Sequence, residues 1–288
     1  MNKSISHQSL RTNLEIALCT VVGVTSGSLV TSCILAGESL HAYELRSEPP
    51  HYPWSHNGIF SSLDHASIRR GYQVYKEVCS ACHSLKGVSY RQLVNVSHTI
   101  KQAKAEAASV EIEDGPDAQG EMFMRPGKLS DKLPKPYKND QAAKAANNAA
   151  LPPDLTFIAL AREHGLDYIY SLLTGYEEPP EGLKLDENVH YNPFMGGGKI
   201  SMQAPLYDDI IEYEDGTPSS LSQLAKDVCT FLMWTSQMEH DERKFLALKT
   251  ILVMPILFLI VGNAKRVKWS SIKTRKISFF TPPSKYTD

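Results

Sequence analysis

The chain has 288 residues, a formal net charge of −2 and 42% hydrophobic residues. That length admits one or two domains, and the apolar content suffices for a packed core. A near-neutral balance lacks the large basic excess by which nucleic-acid-binding chains hold phosphates, so no nucleic-acid partner is expected. The average conceals segregation. From Glu44 to His240 there are 27 acidic and 18 basic residues, whereas Asn263–Asp288 carries 7 basic and 1 acidic. Two different electrostatic environments are implied.

The first element is an apolar stretch, Leu14–Ala36, rich in Ser, Thr and Gly and preceded by Lys3 and Arg11. With the small residues that follow, it reads as a targeting presequence over residues 1–42, removed from the mature chain. Its loss would take Cys19 and Cys33 with it and leave Cys229 alone beside the pair at 79 and 82, with no disulfide within the chain. A helix is expected over Asp64–Cys82, because Ile68, Tyr72, Tyr75 and Val78 recur at helical spacing behind a Ser62/Asp64 capping region. It closes on Cys79-Ser80-Ala81-Cys82-His83.

That pentapeptide reads as a covalent attachment site for haem of the c type. Thiols three residues apart share one helical face and can reach the vinyl groups along one porphyrin edge. The histidine that follows brings an imidazole under the iron. A zinc site would need two further ligands at suitable spacing. A thioredoxin-like pair would open a helix rather than close one.

Thr99–Ser109 reads as a short exposed helix. Glu111, Glu113, Asp114 and Asp117 form an acidic cluster around the Gly115-Pro116 turn, and the proline-rich stretch from Met122 to Tyr137 reads as an extended loop. Leu151-Pro152-Pro153-Asp154 is a helix-start signal, with Leu155, Ile158 and Ala159 forming one apolar face. Asp167–Thr174 is a second short helix, closed by Gly175. Ile210–Tyr213, before the Asp215-Gly216 turn, is the best hairpin strand. A later helix over Leu221–Met238 presents Leu224, Val228, Phe231 and Leu232 on one face, suited to packing on the first helix.

Phe245–Gly262 is an apolar run of 18 residues broken by one charge, Lys249. As a helix it would be roughly 27 Å long, close to the hydrocarbon thickness of a bilayer. Lys249 can snorkel, and Pro255 is tolerated in a membrane helix. Lys265, Arg266, Lys268, Lys273, Arg275 and Lys276 follow, which by the positive-inside rule keeps the tail on the matrix or cytoplasmic side. The expected fold class is mostly α: a small, loop-rich c-type cytochrome domain with one C-terminal transmembrane helix. Its divisions are a presequence at 1–42, a haem domain at 43–240, an anchor at 241–264 and a basic tail at 265–288.

His83 supplies one axial ligand in this reading, and the other decides function. An open position favours gas or peroxide chemistry; a methionine favours electron transfer. Met202, before the stiffening Ala204-Pro205, suits the role best, with Met195 and then Met122 or Met124 as alternatives.

The chain resembles the cytochrome c1 family, the haem subunit of the quinol–cytochrome c reductase (bc1) complex. The resemblance is carried by Tyr52–His56, Ser61–His65, Gly71–His83, Gly120–Asp131, Ala145–Asn148, Leu151–Leu155, Ser171–Tyr176, Asp215–Pro218, Lys226–Leu232 and the anchor with its basic tail. It spans about Leu45 to Lys276. It implies one covalently bound haem c per chain, held by Cys79 and Cys82, with His83 and Met202 as iron ligands. It implies Arg162 near a haem propionate, with Asn147, Pro153 and Tyr168 lining the pocket. Gln203 departs from the small residue that usually follows the family's methionine ligand.

The implied function is one-electron transfer from the Rieske iron–sulfur protein to soluble cytochrome c, with cytochrome b as a neighbour and an acidic accessory subunit admitted. The chain would be an electron carrier with no catalysis alone, in the mitochondrial inner membrane, its haem domain in the intermembrane space and its C-terminus in the matrix. The acidic clusters at Glu111–Asp117, Glu177–Glu181 and Asp208–Asp215 would steer a basic partner. The alternative is a membrane-anchored haem peroxidase or sensor with a labile sixth ligand.

Overall fold

The computed structural model describes residues 46–276. The segment expected to be a presequence, with Cys19 and Cys33, lies outside the described residues, as does the tail beyond Lys276. The chain is mostly helical with a few short strands, as its sequence pattern predicts.

The first helix, α1 (His65–Glu77), starts where Asp64 caps the Ala66 amide at 3.0 Å. Ile68, Tyr72, Val74 and Tyr75 form its buried face. It ends at Glu77, five residues short of the expected Cys82, and Cys79–Ala81 continue as a turn of 3-10 helix. Short helices α2 (Tyr90–Leu93) and α3 (Ile100–Ala108) follow. Thr99 and Gln102 form a capping box at the start of α3. Ala103 and Ala107 are fully buried, so α3 is not wholly exposed as its polar composition suggests.

Two expectations about strands fail. The acidic cluster and the proline-rich stretch pair as an antiparallel ribbon, β1 (Glu111–Asp114) with β2 (Phe123–Pro126), so the latter is not simply a loop. Pro126 is tolerated because it is the last residue of a two-stranded edge. Ile210–Tyr213 forms no strand. Ile211 and Tyr213 are buried as core anchors, and the carbonyl of Glu212 accepts from the Gln73 side chain at 2.8 Å.

Next come α4 (Asp140–Ala146), α5 (Ile158–Ala161) and α6 (Gly165–Thr174). A small ribbon pairs β3 (His190–Tyr191) with β4 (Lys199–Ile200) around the three glycines. Gly198 needs to be glycine: its φ is +71°, and a Cβ would meet the Tyr191 ring at 2.8 Å. The glycine run therefore packs on a tyrosine of its own ribbon.

The centre of the domain is the crossing of α1 with α7 (Leu221–Ser236). Phe231, Leu224 and Val228 of α7 are buried, as are Ile68 and Val74 of α1, and the Phe231 ring lies 5.6 Å from that of Tyr72 and 5.8 Å from that of Tyr75. Full burial of each such side chain contributes about 1.5–3 kcal/mol. Gly71 permits the close approach, since a Cβ there would stand 2.1 Å from the Asp227 carbonyl oxygen. The fully buried Asp227 carboxylate spans the crossing. It accepts from Ser67 Oγ at 2.5 Å, Arg70 Nε at 2.8 Å and Gln223 Nε2 at 2.8 Å. A buried charge is tolerable only with such partners.

The last helix, α8, runs His240–Lys273, 34 residues with Pro255 inside. It is long and apolar enough to cross a membrane, with a mean hydropathy of 2.4 in its most apolar window. It is about 51 Å long by its rise per residue. The helix therefore exceeds the expected anchor at 241–264, and the first part of the basic tail is its last turns.

Candidate functional site

The site is built at the C-terminal end of α1. After Val78 the backbone tightens: the Cys82 and His83 amides both donate to the Cys79 carbonyl, at 3.2 and 2.9 Å. In a 3-10 turn, residues three apart eclipse one another, which keeps the two thiols on one side. Cys79 and Cys82 are free thiols. Burial, then the neighbouring Cys82, pushes the Cys79 thiol up to about 12. A thioredoxin-like pair needs the opposite shift and a helix N-terminus, so that reading fails here. No group of three His, Cys, Asp or Glu side chains able to hold a metal occurs among the described residues, which removes the zinc reading for them.

His83 is half-buried, and Nδ1 lies 2.8 Å from the Pro153 carbonyl oxygen. A carbonyl can only accept, so Nδ1 carries the proton and Nε2 presents a lone pair. Burial lowers the His83 pKa and favours the neutral ring, opposed by the Pro153 hydrogen bond. A neutral imidazole with one nitrogen fixed and the other free is a metal ligand in waiting. The carbonyl of His83 is also held, accepting from Tyr75 Oη at 3.0 Å.

Asp154 sets Pro153 in place. Its carboxylate accepts from Ser84 Oγ at 2.9 Å, the Lys86 amide at 2.8 Å and the Thr156 amide at 3.0 Å. Leu155 adds a backbone bond to the Ser84 carbonyl at 2.9 Å. Burial tends to raise the Asp154 pKa, but the hydrogen bonds from Thr156, Lys86 and Ser84 hold it below the usual carboxylate range. Here the sequence reading needs correction. Leu151–Asp154 does not begin a helix; α5 begins at Ile158, because the Asp154 carboxylate is drawn to the 84–86 segment instead. The turn-forming Pro-Pro-Asp signal was present, but its long-range partners were not visible in it.

The other expected residues lie as follows. Met202 is half-buried, and its carbonyl accepts from Tyr176 Oη at 3.0 Å. Met195 is engaged elsewhere: Tyr168 Oη donates to its sulfur at 3.6 Å. Met122 and Met124 are both exposed on β2 and the turn before it, at 55% and 58%, so their alternation gives neither an inward face. Tyr168 is buried on α6, with the Arg46 guanidinium 4.9 Å above its ring. Asn147 caps α4 and donates to Tyr137 Oη at 3.0 Å and the Ala143 carbonyl at 2.7 Å. Arg162 is exposed just after α5 and enters no ion pair among the described residues. The contacts thus bring Pro153 to His83, while Asn147, Arg162, Tyr168 and Met202 make theirs elsewhere.

The segment bearing Met195 and Met202 is fastened to α6. Asn192, fully buried, donates to the Leu172 carbonyl at 2.8 Å and accepts from the Phe194 amide at 3.1 Å. Gly175 ends α6 for a packing reason: its φ is −102°, and a Cβ would lie 2.6 Å from the Phe194 ring. Sequence reasoning missed Tyr176, Asn192, Asp154 and Tyr75. Each is a polar side chain bonded to a backbone group between 8 and 68 residues away in the chain, and no local pattern announces that.

In two of the acidic clusters part of the charge is structural. Arg125 is gripped by Asp114 and Asp131. Asp208 accepts from the Leu221 amide at 2.7 Å, and Asp215 pairs with Arg70 at 3.0 Å. Glu177, Glu178 and Glu181 are exposed and enter no ion pair among the described residues.

The chain is similar to several known proteins over most of its length. Residues 54–272 match the model of the Cytochrome C1 family. A protein of Saccharomyces cerevisiae named "Cytochrome c1, heme protein, mitochondrial" is 55% identical over 250 residues, covering 86% of this chain and 81% of the relative. One of the same name from Kluyveromyces lactis is 53% identical over 266 residues, covering 92% and 91%. A Candida albicans protein named "Cytochrome b-c1 complex catalytic subunit, mitochondrial" is 52% identical over 266 residues, covering 92% of each.

Proposed function

Because the chain belongs to the cytochrome c1 family, we propose that it is the membrane-anchored haem subunit of a mitochondrial bc1 complex, carrying single electrons from the Rieske iron–sulfur protein to soluble cytochrome c. The observation that supports this most is His83, locked into one tautomer by the Pro153 carbonyl directly after the two thiols. In this reading Cys79 and Cys82 would hold one haem c through thioethers, and His83 Nε2 and Met202 would ligate its iron. When bound, the haem supplies a one-electron iron couple, and a His/Met pair raises its potential.

The protein's own residues do the positioning. Pro153 and Asp154 fix the imidazole, and Tyr176 fixes the backbone at Met202. Met202 is favoured over its rivals because Met195 sulfur already accepts from Tyr168 while Met122 and Met124 face solvent. The exposed Arg162 guanidinium is available to a propionate. Asn147 and Tyr168 keep a pocket-lining role in this reading, although their polar groups are taken up within the protein.

Helix α8 anchors the chain in the inner membrane. The basic residues from Lys265 to Lys276 support an orientation with the C-terminus in the matrix and the acidic haem domain in the intermembrane space. Cytochrome b is the expected neighbour there. Glu177, Glu178 and Glu181, exposed and in no ion pair among the described residues, would contribute attraction for a basic cytochrome c.

The test is rapid mixing of the reduced, haem-loaded full chain with oxidised soluble cytochrome c. One electron should pass per haem, at a rate that falls steeply with ionic strength. Charge reversal at Glu177 and Glu178 should flatten that dependence. Slow transfer at low salt, combined with rapid carbon monoxide binding and peroxide turnover, would instead indicate a labile-site peroxidase.

A further inference from the structure

The segment leading into α1 runs alongside the start of α8. The Leu63 amide donates to Asp241 Oδ1 at 3.1 Å, and His65 Nε2 lies 3.7 Å from Asp241 Oδ2. One turn further along α8, Lys244 Nζ donates to the carbonyls of His56, Gly58 and Ser61 at 2.6, 2.8 and 2.9 Å. Read backwards from His65, the chain thus descends α8 from Asp241 to Lys244, the residue immediately before the apolar run that begins at Phe245. There it turns. The Ser61 amide donates to the Gly58 carbonyl at 3.2 Å, closing a tight turn with Ile59 and Phe60 at its two central positions. These side chains are 80% and 82% exposed.

We propose that this turn is a second membrane contact, with Ile59 and Phe60 inserted into the phospholipid surface beside α8. The occupant follows from place and charge. The single ammonium that ties both ends of the turn sits where the apolar face of α8 begins. Asn57–Ser61 carries no charged side chain, so the surface it meets is the acyl boundary rather than an anionic head group. A large apolar pair at the tip of a closed turn is otherwise costly to leave in water. Two attachments, the helix and the turn, would fix the tilt of the haem domain over the membrane where a helix alone would leave it free to swing.

This rests on α8 spanning the bilayer, and the test separates the two ideas. Nitroxides are placed by Phe60→Cys, Leu252→Cys and Met122→Cys in the reduced, haem-loaded full chain with Cys19 and Cys33 changed to serine, in phosphatidylcholine vesicles. Collision with oxygen and with a water-soluble nickel chelate is read by power saturation. An unchanged reduced haem spectrum confirms that each variant is folded. Position 60 should favour oxygen over the chelate several-fold, as position 252 on α8 does, while position 122 on the distant hairpin favours the chelate. If 252 is lipid-exposed but 60 behaves like 122, the second contact is wrong. If 60 is shielded from both reagents, a protein covers the turn and the lipid assignment is wrong. If 252 itself favours the chelate, the membrane reading of α8 falls, and the second contact with it.

Discussion

Gly71→Ala sets two physical effects against each other with opposite signs. Alanine is the better helix former by about 1 kcal/mol, so on propensity alone α1 should become more stable. The structure says otherwise. The added Cβ would lie 2.1 Å from the Asp227 carbonyl oxygen, 2.6 Å from its carbon and 2.7 Å from Phe231 Cβ. Ordinary contact begins at about 3.5 Å, so α7 must retreat by roughly 1 Å. The obstacle is helical backbone, which cannot rotate aside as a side chain can. The retreat also stretches the bonds that Ser67 and Arg70 make to the buried Asp227 carboxylate. Overpacking of this kind costs about 1–3 kcal/mol and sometimes more, and strained buried charge pairing takes the upper end. A net loss of about 2 kcal/mol would lower the melting temperature by roughly 4–8 °C in a domain of this size. Circular dichroism melts of the haem-loaded full chain in detergent would measure it. An unchanged or raised melting temperature would show that α1 and α7 do not cross at backbone contact, and the placement of the Cys79–His83 turn at the end of α1 would lose its foundation.

Three further outcomes are expected. Asp154→Ala removes the acceptor of Ser84 Oγ and of the Lys86 and Thr156 amides; it should cost about 2–3 kcal/mol in denaturant melts. It should also speed carbon monoxide binding, as the Pro153 carbonyl no longer holds the His83 ring firmly. Glu106 accepts from Tyr72, His98 and Lys76, and although burial pushes its pKa up, these bonds bring it down to about 2. A carboxyl depressed in the folded state stabilises above its unfolded pKa and loses that contribution as pH falls toward about 2. Melting temperature should therefore drop between about pH 5 and pH 2.5 in the natural chain, and Glu106→Gln should flatten that limb. Met202→Ala should convert the ferric spectrum from low to high spin and accelerate carbon monoxide binding about tenfold or more, whereas Met195→Ala should leave both unaltered.

The parts of the molecule that announce themselves in sequence are those whose signal is local. The α1 and α7 faces follow from apolar residues at helical spacing, the thiol–thiol–imidazole spacing from covalent chemistry, and α8 from an uninterrupted apolar run. The β1–β2 ribbon is hard to read because its residues, Glu-Ile-Glu-Asp against Phe-Met-Arg-Pro, are at most half-buried, and the half-buried positions include the polar Asp114 and Arg125 rather than an apolar row. The Ile210–Tyr213 segment misled for the converse reason: its apolar residues are anchors in the core, and burial alone does not make a ladder. Within the site, Cys79, Cys82 and His83 were legible as a unit. Asp154 was legible only as a turn residue, because its partners at Ser84 and Lys86 lie about seventy residues away. Tyr176 was invisible for the same reason, since its bond goes to a backbone carbonyl and leaves no trace in side-chain pattern.

The most direct measurement is the mass of the proteolytic peptide carrying Cys79 and Cys82, taken from the mature protein purified from membranes. One haem covalently added through both sulfurs is the outcome this account predicts; two unmodified, alkylatable thiols would contradict it.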